Sequence, residues 1–230
     1  LRIDTGRFLP TWGVVKRALH ISLPMGLQQT IMCSAYVMTT IIIAPLGTFA
    51  IAANSFGVII ESLCYMPGYG IADAATTLVG QSMGAGRHEL MKRFAWLSVG
   101  LGVTVMAVMG VVMYVGAPTA MAMMTPAEEV RRLGVEVLRI EAFAEPMFAA
   151  AIVSYGVFVG AAKTLVPSIM NLISIWGVRI SLAAMLAPSM GLRGVWIAMC
   201  IELCFRGLIF LVKLKFWNIQ TSCKHYGKDQ

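Results

Sequence analysis

The polar positions of this chain are spaced too widely for a water-facing helix or strand to repeat between them. From Ala18 to Ile60 there is no Asp, Glu, Lys or Arg. One helical span of a bilayer takes roughly 20 apolar residues, so this block must fold back on itself, and Pro45-Leu46-Gly47-Thr48 supplies the turn. The pattern predicts span one over about 20–44, with Pro24 in its first turns, where a missing N–H costs least. Span two follows over about 50–80 and contains Pro67-Gly68-Tyr69-Gly70, which predicts a broken helix at membrane depth. After the loop Gly84-Ala85-Gly86-Arg87-His88-Glu89, span three covers about 94–116.

Thr125-Pro126-Ala127-Glu128 reads as a helix start, with Thr125 as cap. Glu128 stands three and four residues before Arg131 and Arg132, and Glu136 three before Arg139, which is the pattern of a solvated face. That face, from about 127, leads into span four at about 140–161. Span five covers about 165–187 and span six about 194–212, joined by Pro188-Ser189-Met190-Gly191. The expected organisation is an N-terminal approach (1–19), one six-span membrane lobe (20–217) and a basic tail (218–230). The fold class is all-α: a polytopic membrane protein, a six-transmembrane-helix bundle.

Composition narrows the solvent to lipid. Of 230 residues, 58% are hydrophobic and 13% charged, against about 25% charged in ordinary soluble domains. The net charge of +7 reads as topology and not as nucleic-acid binding, since the basic residues form no run with interleaved aromatics. Arg2, Arg7, Lys16, Arg17, Arg87, Lys92, Arg93, Lys163, Lys213, Lys215, Lys224 and Lys228 collect on one side of the alternating spans; Arg131, Arg132, Arg139 and Arg193 fall on the other. The positive-inside rule then puts both termini in the cytoplasm. Cys33, Cys64, Cys200, Cys204 and Cys223 show no paired or metal-ligand spacing; all but Cys223 sit in apolar runs and read as packing residues. The chain opens on Leu1 instead of Met, which predicts a piece of something longer.

Ionisable groups within spans are the candidates for function. Arg179 and Glu202 stand about equally far from the turn between spans five and six, which predicts a buried structural ion pair, with Arg206 one turn beyond Glu202. Glu141 and Glu145, at i and i+4, predict a carboxylate pair able to bind and release a proton; the bland reading leaves Glu141 on the solvated face. Glu61, ahead of the Pro67 break and one turn from Tyr65, is a candidate ion or substrate contact, or a partner for a freed backbone N–H. Asp73 reads as a cap for the second half of the broken helix. Gln28 and Gln29 line a polar path or bridge helices. Gly156 and Gly160 form a small-xxx-small pair, with close packing as the default.

Several segments, taken in order, resemble one family. They are Leu23-Pro24, Ala44-Pro45-Leu46-Gly47, Tyr65-Met66-Pro67-Gly68-Tyr69-Gly70, Ala75 to Gln81, Gly84-Ala85-Gly86-Arg87, Gly156 to Thr164, Ile175 to Ile180 and Gly191 to Trp196. The set is similar to the C-terminal half of multidrug and toxic compound extrusion (MATE) transporters. The resemblance implies one lobe of a twelve-helix transporter, with a cleft between two lobes that opens alternately to each side of the bacterial inner membrane. It implies export of small organic cations and amphipathic compounds against H⁺ or Na⁺. The implied partners are the lipid bilayer and a missing N-terminal six-helix lobe or a second half-transporter; no cofactor and no nucleic acid are implied. Glu145, Glu141 and Glu61 are the cation-coupling candidates. Gln28, Gln29, Tyr65, Asn171 and Trp176 are the candidates to line a substrate cleft.

The chain departs from the family at three places. Met32 and Phe148 stand where one branch carries a cation-binding glutamate and an aspartate, so no Na⁺ site carries over residue by residue. Lys163, in Gly160-Ala161-Ala162-Lys163-Thr164, replaces an aspartate. The alternatives are a lipid-linked saccharide flippase of the same superfamily, which calls for several cleft Arg or Lys, and an unrelated carrier or channel, for which no filter sequence is visible. An enzyme lacks its parts: His20, His88 and His225 are scattered, and no hydrolytic or metal motif appears.

Overall fold

The computed structural model describes residues 12–216. Within them the chain is a succession of helices: α1 (Trp12–Ile43), α2 (Thr48–Gly84), α3 (His88–Met124), α4 (Glu128–Glu141), α5 (Glu145–Gly160), α6 (Leu165–Ile173), α7 (Ser181–Met190) and α8 (Leu192–Lys215). A π-helical stretch, Ser174–Ile180, joins α6 to α7. Among the described residues, five stretches are long and apolar enough to cross a bilayer. The pair α4–α5, bent by 58°, is the sixth if counted as one span. Leu63, Leu97, Val115 and Met185 point outward, which suits rods whose solvent is hydrocarbon. The expected basic tail and residues 1–11 of the approach lie outside the described residues; residues 12–19 already belong to α1.

α2, α3 and α5 pack together at the centre, α8 lies on α5, and α4 caps α2, α3 and α8. α1 rests mainly on the π-helical stretch, α6 and α7. The α2–α5 contact explains the Gly156/Gly160 pair. A Cβ on Gly156 would meet the Ala72 carbonyl oxygen at 2.5 Å, and one on Gly160 would run into Thr76 backbone. Thr76 Oγ1 uses the closeness, donating to the Gly156 carbonyl at 2.9 Å.

The break falls elsewhere than Pro67-Gly68 predicts. α2 runs unbroken for 37 residues with Pro67 inside it. Gly68 is small for packing and not for turning: a Cβ there would meet Ile152 Cδ1 at 2.9 Å and Met106 Sδ at 3.0 Å. Neighbouring helices hold α2 straight through the lost hydrogen bond, as membrane helices allow. Asp73 is consequently an exposed mid-helix residue and caps nothing.

The chain bends instead between Glu141 and Glu145, because Pro146 near the start of α5 has no N–H to continue the ladder and disfavours helix before it. Pro188, expected in the turn, lies inside α7, and Gly191, at φ 61°, makes the turn to α8. At the α4 entrance, Thr125 Oγ1 accepts the Ala127 N–H at 3.2 Å, while Ala127 is the residue flanking the helix.

The core divides in two. One cluster gathers around Trp196, Met121 and Leu138, the other around Phe210, Phe158 and Met91. Along α2 the first ends at Cys64 and the second begins at Ala72; along α8 the corresponding residues are Leu203 and Phe210. Along α8 the buried charged residues Glu202 and Arg206 fall at this seam.

Candidate functional site

α8 brings Glu202 and Arg206 to the seam one turn apart. Glu202 is fully buried and Arg206 nearly so. Arg206 Nε lies 3.1 Å from Glu202 Oε1, and the same oxygen accepts the Ser174 hydroxyl at 2.6 Å. The Arg206 guanidinium also stands 5.7 Å from the Phe148 ring centroid.

The expected Arg179–Glu202 pair does not form. Equal distance from a turn equates depth but not direction, and the π-helical stretch carrying Arg179 rotates it away. Its guanidinium lies 5.7 Å from the ring centroid of Tyr36 on α1. Ser174 takes the place beside Glu202 that Arg179 was expected to fill.

Glu141 and Glu145 are both buried, so Glu141 does not belong to the solvated face. They do not share one helical face either, because the 58° bend separates them. Neither oxygen of Glu145, nor Oε2 of Glu141 or of Glu202, has a hydrogen-bond partner among the described residues. Glu61, half-buried on α2, acts electrostatically on both Glu141 and Glu145, and Arg179 is the cation that reaches Glu61 and Glu141. Four carboxylates and two guanidiniums from five elements therefore share one low-dielectric neighbourhood, where charge interactions are several-fold stronger than in water.

An aromatic wall borders this group. Tyr65 packs edge-on to Tyr69 at 5.4 Å and to Phe148 at 5.7 Å. A cavity of about 50 Å³ opens between Tyr36, Tyr69, Phe148, Arg179 and Arg206, room for one or two small guests.

The remaining cleft candidates are placed as follows. Trp176 donates its indole N–H to the Ile31 carbonyl at 3.4 Å, tying the π-helical stretch to α1. Gln29 is exposed on α1 with its amide toward Cys33 Sγ at 3.8 Å, and Asn171 is half-buried on α6. The side chain of Gln28 lies outside the described set. Tyr36 and Ser174 escaped the sequence reading; a hydroxyl among apolar neighbours is too common to single out. Phe148 was legible only as a missing acid.

A helical lobe with five or six apolar spans among the described residues, and carboxylates buried between its helices, is a polytopic membrane protein. The family model described as MatE matches residues 24–185, and the chain belongs to that family. It is 29% identical over 203 residues to a probable multidrug resistance protein NorM of Xylella fastidiosa, covering 87% of this chain and 43% of that protein. It is 26% identical over 216 residues to a protein of the same description from Thermotoga maritima, covering 92% and 46%. The chain thus spans about half the length of the curated relatives it matches.

Solved structures agree on the fold. An outward-facing multidrug resistance MATE family transporter of the MOP superfamily superposes with a TM-score of 0.85 at 18% identity, over 96% of this chain and 50% of that one. The MATE transporter ClbM in complex with Rb⁺ gives 0.82 at 22%, over 92% and 49%.

Proposed function

We propose that this chain forms one lobe of a secondary active exporter, which moves cationic and amphipathic compounds out across the bacterial inner membrane against H⁺ or Na⁺ entry. A second six-helix lobe, covalently joined or a second half-transporter, supplies the other wall of the cleft, and both ends of the chain are cytoplasmic. The single observation behind the coupling role is Glu145: 2% exposed, with neither carboxylate oxygen meeting a donor among the described residues. An ionised carboxylate so placed costs several kcal/mol. A proton or a small monovalent cation relieves that cost, and the charge of Glu61 acts on Glu145 across the seam. The Rb⁺ bound by ClbM and the multidrug descriptions of the relatives support this reading.

A second reading has one observation in its favour. The only charged residues lining the cavity beside Phe148, among the described residues, are Arg179 and Arg206, a polarity suited to an anionic head group and thus to a flippase for lipid-linked saccharides.

The test uses the lobe joined to its second lobe in sealed vesicles under an imposed pH or Na⁺ gradient. Gradient-driven movement of a fluorescent organic cation is expected in the wild type, and at least tenfold less in Glu145→Gln. Undiminished transport with the same gradient dependence in that variant defeats the coupling role. Movement of a lipid-linked saccharide, with none of the cation, favours the flippase.

A further inference from the structure

The end of the lobe away from the α2–α3 turn carries a groove that the carboxylate group does not use. It runs between the last turns of α3 and the polar face of α4, with a volume of about 660 Å³, and Arg131, Arg132 and Arg139 line it. Glu128 takes Arg131, and Glu136 pairs with Arg193 of α8, Nη2 to Oε1 at 2.5 Å, instead of with Arg139 as the sequence spacing predicts. No carboxylate pairs with Arg132 or Arg139 among the described residues. Seven residues apart, they stand on one side of α4, about 10 Å from each other along the axis. Arg139 leans on Tyr114, 5.1 Å from its ring centroid.

Two apolar crevices open where Arg139 ends the groove. One, of about 350 Å³, lies between Tyr114, Phe143 and Ile201 and has Arg139 in its wall. The other, of about 410 Å³, lies against Val111 and Pro146 on the other side of Tyr114 and Phe143. Phe143, 72% exposed at the α4–α5 bend, stands between them. The bend creates the recess, and Gly110 lets it sit close: a Cβ there would meet the Ala142 carbonyl oxygen at 2.7 Å.

Two free guanidiniums at the polar edge, above two apolar slots that run toward the bilayer interior, match the shape and charge of one kind of molecule. We propose that the groove binds an anionic phospholipid of the surrounding bilayer. Its phosphate lies between Arg132 and Arg139, and its two acyl chains straddle Phe143. A zwitterionic lipid brings its own ammonium to the arginines and is held less tightly. The lipid buttresses the α4–α5 bend and so the position of Glu145, which begins α5.

The test places a tryptophan at the slot, Phe143→Trp, in the full chain in bilayers doped with lipids brominated on their acyl chains, and takes the difference from the parent chain, whose five native tryptophans give the background. Brominated phosphatidylglycerol is expected to quench this tryptophan more than brominated phosphatidylcholine at equal content. Juxtamembrane basic residues contribute about a fivefold preference each for anionic lipid, so Arg132→Gln and Arg139→Gln should each reduce the preference by roughly that factor. The double Arg→Lys variant, which keeps both charges, should retain most of it, and unchanged circular dichroism guards against misfolding. Equal quenching by the two lipids, or a preference that survives the double Arg→Gln variant, overturns the proposal. So does full displacement of the lipid by inorganic phosphate, which would mark a site for free anions.

Discussion

The buried ion pair offers the sharpest check on the interior. Glu202 is 0% exposed and Arg206 7%, 3.1 Å apart, and among the described residues Ser174 donates a hydrogen bond to Glu202. Replacing either partner alone with methionine, which fills comparable volume, strands the other charge in an apolar seam. Breaking a buried pair in this way costs about 3–5 kcal/mol. Replacing both removes the desolvated charges together, and such double changes are neutral or stabilising by about 1–4 kcal/mol. The Glu202→Met/Arg206→Met cycle should therefore show a coupling of several kcal/mol. Ser174→Ala alone should cost about 0.6–2 kcal/mol, the usual worth of a hydrogen bond between membrane helices. The assay is unfolding in mixed micelles by titration with sodium dodecyl sulfate, followed by circular dichroism. The control is the Arg179→Met/Glu202→Met cycle, which should couple much more weakly than the first because Arg179 faces Tyr36 and makes no ion pair with Glu202 among the described residues. Additivity in the first cycle, or strong coupling in the second, refutes the arrangement and restores the pairing that turn-counting suggests.

Gly156→Val should destabilise by about 1–3 kcal/mol through overpacking against Ala72 and lose the Thr76 hydrogen bond, while Gly100→Ala, with open space around its Cβ, should be harmless; the same unfolding titration compares them. Pro67→Ala should raise the unfolding midpoint, since α2 is continuous and an interior proline costs about 3 kcal/mol in a helix; a lowered midpoint would argue for a break there. In a background without native cysteines, Ala85→Cys and Met190→Cys should be labelled from opposite faces of the membrane by an impermeant maleimide, because three spans lie between them: α3, the bent α4–α5 pair, and α6 through α7. Labelling of both from one face would refute the span count.

Glu141 and Glu145 show where sequence spacing stops being informative. Their spacing announces a carboxylate pair, and both are buried as a pair of functional acids would be, yet the bend at Ala142–Ala144 takes them off a common face. Pro146 was the available signal for that bend, and it was outweighed by the louder Pro67-Gly68. A proline's effect depends on what packs around it: Ile152 and Met106 hold α2 in register beside Gly68, whereas Phe143, at the actual bend, faces outward.

The sequence alone reveals the lipid solvent and an approximate count of spans, which stands at five or six among the described residues. Charge-free blocks that long admit only helices satisfying their own backbone in lipid, and the turn residues and cationic flanks divide them. It also named the buried acids, since intramembrane carboxylates are too costly to be incidental. Partnership was decided only in three dimensions. Whether Glu202 meets Arg179 or Arg206, and whether a proline breaks its helix, depends on rotation about a helix axis and on close contacts such as Gly156 on Ala72. Hydropathy fixes depth along that axis and carries no record of azimuth.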